Sequence, residues 1–395
     1  MKPIVILLAL LICTFFLSNI FAQVNVNGWL QSNLFISEND LENQQWDFYQ
    51  MFRFRIASKK YSDLYFNTLM RFAHRGDPAE WEEKAHNLYL NWGFAKNYRV
   101  RVGRMFYYKG VINGTIDAGE IAATYGGKLR FNAVVGTQTP FSRKFEIRNW
   151  DNGNVIGGFL SYRLPWNNTI DVSYFQKERF SELYWQLFGS TLRGYLGKYF
   201  NYYLRYDHNL LKSDYQHMRY RLTFNKIKWS LGVEYNAQQP RIYEDSYFSI
   251  FQVDAYRQIR AIGTYWVSNL ELGLQYLYSM YERENDNRII ASLGTRKYGN
   301  FGIIYQSGFG GENFGYYADL RYEFMNNFVA RLYNSYYNFE RAFTSISQDA
   351  LAFKVGLGYR WMNKLMLEGE IQQASNSYYK SDVRGLMRVT YLFQF

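Results

Sequence analysis

Along most of this chain apolar and polar residues alternate with a period of two, the spacing of a strand with one apolar face and not that of a helix. Residues 228–237 (KWSLGVEYNA) place Trp229, Leu231, Val233 and Tyr235 on one face, and Ser230, Gly232, Glu234 and Asn236 on the other. The stretch before them sets Met218, Tyr220, Leu222 and Phe224 against Arg219, Arg221, Thr223 and Asn225. Residues 270–280, 314–324 and 351–361 repeat the pattern. So does the end of the chain, where Met387, Val389, Tyr391, Phe393 and Phe395 share a face opposite Arg384, Arg388, Thr390 and Gln394. Leu386 and Leu392 interrupt that polar side, and residues 159–163 and 259–266 are blurred enough to leave their facings open.

The connections alternate as well. Short ones fall at Lys59-Lys60, Lys96-Asn97, Gly126-Gly127, residues 166–168, Lys226-Ile227, Ser268-Asn269, Gly299-Asn300, Asn326-Asn327 and Asn363-Lys364. Longer polar ones lie between them, at residues 38–45, 75–84, 138–153, 238–254 and 340–349. One short rim and one long rim predict an all-β fold: a transmembrane antiparallel up-and-down β-barrel with short periplasmic turns and longer extracellular loops. A propeller or sandwich does not require this rhythm, and would carry more turn prolines than the 5 present. Counting by the rhythm gives about 22 strands, with about 18–20 as the alternative. Alternation begins at Val24, Val26, Leu30 and Leu34, which leaves no room for an N-terminal plug. A barrel of this size then has a wide lumen unless loops fold into it. The expected constriction loop is 138–153, with Arg143, Lys144 and Arg148, and a second candidate is 238–254, with Tyr247, Phe248 and Phe251.

Composition sharpens this picture. Aromatic residues make up 20% of the 395 residues, 38 of them Tyr and 32 Phe, which suits strand surfaces and interfacial girdles. The mean hydropathy of -0.37 would score as soluble, but a barrel escapes that measure because only alternate residues face lipid. Lys2, an apolar run over residues 4–17 and the Ala22-Gln23 junction read as a secretory signal peptide, residues 1–22, ahead of a barrel over residues 23–395. Cys13 lies within the leader and follows Ile12 rather than a small residue, so lipidation is not expected. The mature chain then has no cysteine, hence no disulfide or thiolate metal site.

Two stretches resemble known families. The last strand resembles the closing strand of bacterial outer-membrane β-barrels, whose terminal aromatic is recognised by the outer-membrane assembly machinery. The resemblance implies a Gram-negative-type outer membrane, contact with its lipids, and Phe395 as assembly signal. Residues 102–140, VGRMFYYKGVINGTIDAGEIAATYGGKLRFNAVVGTQTP, resemble a segment of porin-like barrels of the phosphate-selective and alginate-export type. The shared features are the Gly103-Arg104 strand, the Gly119-Glu120 step where those families have Asp-Gly, the Gly126-Gly127 hairpin and the strand ending in Gly136. They imply a porin-like channel and identify no solute.

Removing Lys2 with the leader takes the 45 Lys and Arg to 44 against 34 Asp and Glu, a net of +10. Arg53, Arg55, Arg71, Arg101, Arg130, Arg219, Arg221, Arg321 and Arg331 fall at lumen positions and are the candidate pore-lining cations. A belt of guanidinium groups raises the local anion concentration. The competing reading pairs them with carboxylates, for which Glu234, Glu323, Glu368 and Glu370 are available. Most of the arginines precede residue 225 and these acids follow it, which predicts a field across the lumen and a modest anion preference. Tyr49, Tyr65, Tyr89, Tyr203 and Tyr317 also fall inward, where they could stack on sugar rings. The pairs His208/His217 and His74/His86 flank their hairpins as if they were cross-strand neighbours, but no ligand spacing accompanies them, and no metal or cofactor is expected.

The expected function is therefore a non-enzymatic channel for passive or weakly anion-preferring diffusion of small hydrophilic solutes. Alternatives are a dedicated polysaccharide or oligosaccharide transport barrel, or a membrane-embedded hydrolase using Ser213 beside His208 and His217. No nucleic-acid partner is expected, and a homo-oligomer is compatible with this reading. Deleting Phe395 is expected to impair assembly more than stability, since one interfacial side chain contributes only about 1.5–3 kcal/mol. Heat-modifiable migration of outer-membrane fractions checks this, and wild-type yields from the truncated chain would count against it.

Overall fold

The computed structural model describes residues 24–38, 44–61, 63–75, 81–240, 255–282, 284–308, 311–325, 327–340, 347–377 and 381–395. The leader, and Tyr247, Phe248 and Phe251, lie outside the described residues. The described residues form 22 strands in one antiparallel sheet, each paired with its neighbours in sequence. The sheet closes where β1 (Val24–Glu38) pairs with β22 (Asp382–Gln394), in register from Asn27 opposite Gln394 to Ile36 opposite Gly385. Phe395 completes the seam with both backbone groups: its N–H donates to the Val26 carbonyl at 2.8 Å, and its carbonyl accepts from the Val26 N–H at 3.0 Å. Gly28 faces Phe393 across the seam, and a Cβ there would overlap the Arg53 carbonyl on the other side. Phe393 and Phe395 stack at 5.9 Å between ring centres, part of an outward aromatic file with Tyr391.

The alternation read from the sequence is the inside–outside alternation of the wall. On β13 (Trp229–Gln238), Leu231 and Val233 stand outward and are about half exposed, whereas Glu234 is buried on the lumen side against Arg219 of β12 (Asp214–Lys226). The blurred stretch before Trp266 resolves the same way. On β14 (Tyr256–Val267), Ile259, Ala261, Gly263 and Tyr265 continue the outward rows of β13, while Arg260 faces Glu234 from the lumen side.

The rims differ from the sequence reading in three places. Gly299-Asn300 opens β17 (Gly299–Gly308) instead of forming a turn. Gly299 has φ +103, and a Cβ there would overlap the Asp319 carbonyl, so the glycine serves a close strand approach. On the other rim, two connections are two-residue turns and not loops: Gly110-Val111 between β5 (Tyr98–Lys109) and β6 (Ile112–Tyr125), and Phe180-Ser181 between β9 (Thr169–Arg179) and β10 (Glu182–Leu196).

Val233→Arg is expected to destabilise the barrel by about 2–4 kcal/mol, because it puts a charge into lipid near mid-depth. The same change at Ser230 should cost far less, since that side chain faces water. Denaturant unfolding in lipid vesicles measures both, and equal costs would contradict the facing of this strand.

Candidate functional site

The β5–β6 hairpin leaves the wall. β4 (Trp81–Ala95) pairs with β5 only up to Leu88 opposite Arg104, and β6 meets β7 (Leu129–Gln138) only from Ile116 downward. Residues 106–109 and 112–115 are therefore laddered only to each other. The departure point is Gly103, at φ +125, where a Cβ would overlap the Leu88 carbonyl.

Freed from its neighbours, the tip crosses to the inner faces of β9, β10 and β11 (Phe200–Asn209). The Val111 N–H donates to Ser173 Oγ at 3.0 Å, and Arg205 Nη2 donates to the Gly110 carbonyl at 3.1 Å. Gly189 lies under the tip, and a Cβ there would overlap a Val111 methyl. Met105, Tyr107, Val111, Ile112 and Ile116 bury themselves against Val134, Val155, Phe175, Trp185 and Leu187. All ten are withdrawn from water at positions that face the lumen. Apolar burial of about 1.5–3 kcal/mol per large side chain makes this a fixed constriction.

Residues 139–149, expected to enter the lumen, instead rebuild the wall that the hairpin vacates. The Arg143 carbonyl accepts from the Ala85 N–H at 2.9 Å, in the place a β5 residue would have taken beside β4. Arg104, on the membrane-facing side of β5, is buried and reaches the segment with its guanidinium. It donates to the carbonyls of Arg143 (3.0 Å), Lys144 (2.7 Å) and Glu146 (2.8 Å), and forms a two-pronged pair with Asp117 at 2.7 and 2.9 Å. The Arg143 guanidinium meets His86, and Arg148 lies near Gly153. A long polar loop suggested infolding. The vacated ladder groups of β4 decide otherwise, since backbone groups there need a partner.

The lumen cations divide into two sets. Arg101 and Lys109 hold Glu120, which is fully buried beneath the hairpin, with Lys109 at 2.8 Å and the Tyr107 hydroxyl at 3.3 Å. Arg71 meets Glu82 at 3.9 Å, Arg219 meets Glu234 at 2.7 Å, and Arg321 pairs with Glu323. Arg331 and Arg388 share Glu368, Lys354 meets Glu370 at 3.5 Å, and Arg388 reaches across the seam to Asn33. Arg53, Arg55, Arg130 and Arg221 form no ion pair among the described residues; Arg55 lies over the Tyr65 ring at 3.7 Å, and Arg221 donates to Thr223. Below the hairpin a cavity of about 660 Å³ is bordered by Arg99, Lys109, Arg130 and Arg193.

The expected separation of charge between walls does not hold. Glu120, Asp171 and Asp207 are buried acids on early strands, and Arg260, Arg288 and Arg388 are cations on late ones. Glu120 and Asp171 reach bases on adjacent strands, Arg101 and Arg193, a pairing the chain order alone does not display. Asp207 takes Arg205 of its own strand at 2.6 Å and His217 of β12 at 3.7 Å.

Neither histidine pair forms. Plain alternation sets His217 inward with Arg219 and His208 outward with Tyr206, on which it stacks; the register shift at Asp207/His208 alters only the rimward partners. Another at Leu69/Met70 leaves His86 within the bulge, while His74 stacks on Trp46 at 5.3 Å. One inserted residue reverses the facing of all that follows.

No family model matches the chain, and no curated protein matches it. Among solved structures it is similar to the translocation pore of the P pilus usher PapC, with a TM-score of 0.52 and 9% identity over 93% of this chain and 99% of that one. The chain has the fold of an outer-membrane pore barrel. Lower-scoring likenesses include OccAB3 of Acinetobacter baumannii (0.48, 12% identity, 95% of this chain and 100% of that one). A BenF-like porin from Pseudomonas fluorescens Pf-5 scores 0.47 at 8% identity, over 94% of this chain and 99% of that one.

Gly189→Leu is expected to lift the hairpin tip. In a Val111→Cys background, a membrane-impermeant maleimide should label slowly with Gly189 present and at least about tenfold faster with Leu, the factor that loss of roughly 1.4 kcal/mol of tip docking gives. Gly369→Leu, at an open outward position, is the control. Equal labelling rates in all three would show that the tip is not docked on β10.

Proposed function

We propose that this chain is an outer-membrane diffusion channel for small hydrophilic solutes, narrowed by its own β5–β6 hairpin and modestly selective for anions. The observation that carries the reading is the combination of a closed barrel, a polar lumen wall and a constriction taken from that wall. A wall strand pair bent inward narrows a pore without closing it off with a separate domain. The outward apolar band and the aromatic file at the seam support a membrane location.

The anion preference rests on four lumen arginines without carboxylate partners among the described residues, Arg53, Arg55, Arg130 and Arg221. Paired arginines contribute little net field, so the preference is smaller than the charge of the whole chain suggests. The sugar-stacking reading is weaker, because guanidinium groups already lie over several rings. Arg55 covers Tyr65, Arg71 lies 5.5 Å from the Tyr49 centroid, and Arg101 and Arg219 each lie 5.7 Å from those of Tyr89 and Tyr203. The hydrolase reading loses its geometry, since His208 and His217 stand on opposite faces of the wall.

Planar-bilayer recording of the refolded chain tests the proposal. Ohmic steps are expected, with a reversal potential in a salt gradient that indicates anion preference and shrinks as salt screens the charges. Replacing Arg53, Arg55, Arg130 and Arg221 together by Gln should move that potential toward cations, whereas Lys59→Gln with Lys60→Gln at a turn should not. A silent bilayer would overturn the channel, and an unmoved potential would overturn the role of these arginines.

A further inference from the structure

The outer face of β11 to β15 (Leu270–Met280) carries a depression that an even wall would not have. Outward rows run across these strands in register. One sets Phe200 of β11 beside Phe224, Leu231, Gly263 and Leu274. The next, farther from the short-turn rim, sets Leu222 beside Val233, Ala261 and Tyr276. In both rows β14 contributes the smallest residue, a glycine or an alanine between large neighbours. The result is a lipid-facing apolar groove of about 410 Å³.

Two lysines stand at the short-turn end of this groove. Lys226 takes the next outward position after Leu222 and Phe224, opposite Trp229, whose ring packs on Tyr265 at 4.2 Å. Lys198, in the turn before β11, holds its ammonium 5.5 Å from the Tyr199 ring centre. Tyr199 lies 6.1 Å from Phe224, and Phe224 lies 5.2 Å from Phe200, both of which border the groove. Contacts thus tie one cation to the groove, and register ties the other. Both lysines are exposed and form no ion pair among the described residues, and the rows they adjoin contain no carboxylate.

A lysine at the edge of the hydrocarbon, beside an aromatic girdle, extends its ammonium to headgroup level. We propose that the groove holds an acyl chain of an anionic phospholipid of the periplasmic leaflet, its phosphate between Lys198 and Lys226. The medium in front of the groove is the hydrocarbon of the bilayer, so an acyl chain is what meets it there. Two cations with no acid beside them select a headgroup of net negative charge over a zwitterionic one. The short turns mark the periplasmic rim, which assigns the leaflet. The site rests on the reading of the chain as an outer-membrane barrel and not on conduction, so a silent planar bilayer leaves it standing.

The test is native mass spectrometry of the full chain in non-ionic detergent, titrated with phosphatidylglycerol or with phosphatidylcholine of the same acyl chains. One phosphatidylglycerol should be retained, with about thirtyfold preference over phosphatidylcholine, as two interfacial cations imply. Lys198→Gln with Lys226→Gln should abolish that preference. Gly263→Leu should release both lipids. A Cβ at Gly263 meets Leu231 at 3.5 Å and the Leu274 carbonyl at 4.0 Å, ordinary contacts, so the longer side chain fills the groove without displacing the wall. Heat-modifiable migration confirms that each variant is folded. Excess inorganic phosphate should leave the lipid bound, since the acyl chain supplies part of the affinity. Equal retention of the two lipids by the unaltered chain, an unchanged preference in the Gln variant, undiminished retention after Gly263→Leu, or displacement by inorganic phosphate would each overturn the proposal.

Discussion

Everything in this molecule depends on satisfying backbone hydrogen bonds in a medium that offers none. A sheet in lipid tolerates no open edge, so the chain must return its last strand to its first. The seam shows how completely this is done: even the terminal residue, Phe395, gives its N–H and its carbonyl to Val26. Side chains reinforce the closure from the lumen, where Arg388 of β22 binds both Glu368 of β21 (Leu365–Asn376) and Asn33 of β1.

The same constraint explains the constriction. Bending β5 and β6 out of the wall strips β4 and β7 of their partners near the rim. The vacancy is filled by residues 139–149, whose Arg143 carbonyl takes the Ala85 N–H, and the repair is held by one buried arginine. Arg104 can stand on a membrane-facing position only because Asp117 and backbone carbonyls surround it. The infolded tip is held in turn by an apolar patch on the lumen wall, where a channel would otherwise present polar groups to water. Hairpin, patch and wall segment therefore form one unit, and a change in any of them should be felt in the others.

This unit concentrates charge without spending it all. Burial of Glu120 beneath the hairpin requires the cations around it, while on neighbouring β7 Arg130, at the edge of the cavity below, has no ion pair among the described residues. Which lumen guanidinium groups stay without a carboxylate among the described residues is thus set by packing, not by how many the chain carries.

The sequence by itself determined the period-two facing, the number of strands and the closing aromatic, because each depends only on which residues alternate and where turns interrupt them. Leu231, Val233 and Glu234 could be assigned to their faces from spacing alone. The infolding of β5–β6 was not legible in the same way. Its signs were present, as apolar residues at lumen positions from Met105 to Ile116 and again at Val134, Val155, Phe175 and Leu187, but each segment alone looks like an ordinary strand. Only the tertiary structure decided that these patches meet, since their contact spans strands far apart in the chain and rests on glycines at 103 and 189 that spacing cannot interpret. The place of His86 and much of the arginine pairing were decided there too. A bulge takes up His86, and an ion pair such as Arg219–Glu234 depends on register between strands, which no one strand encodes.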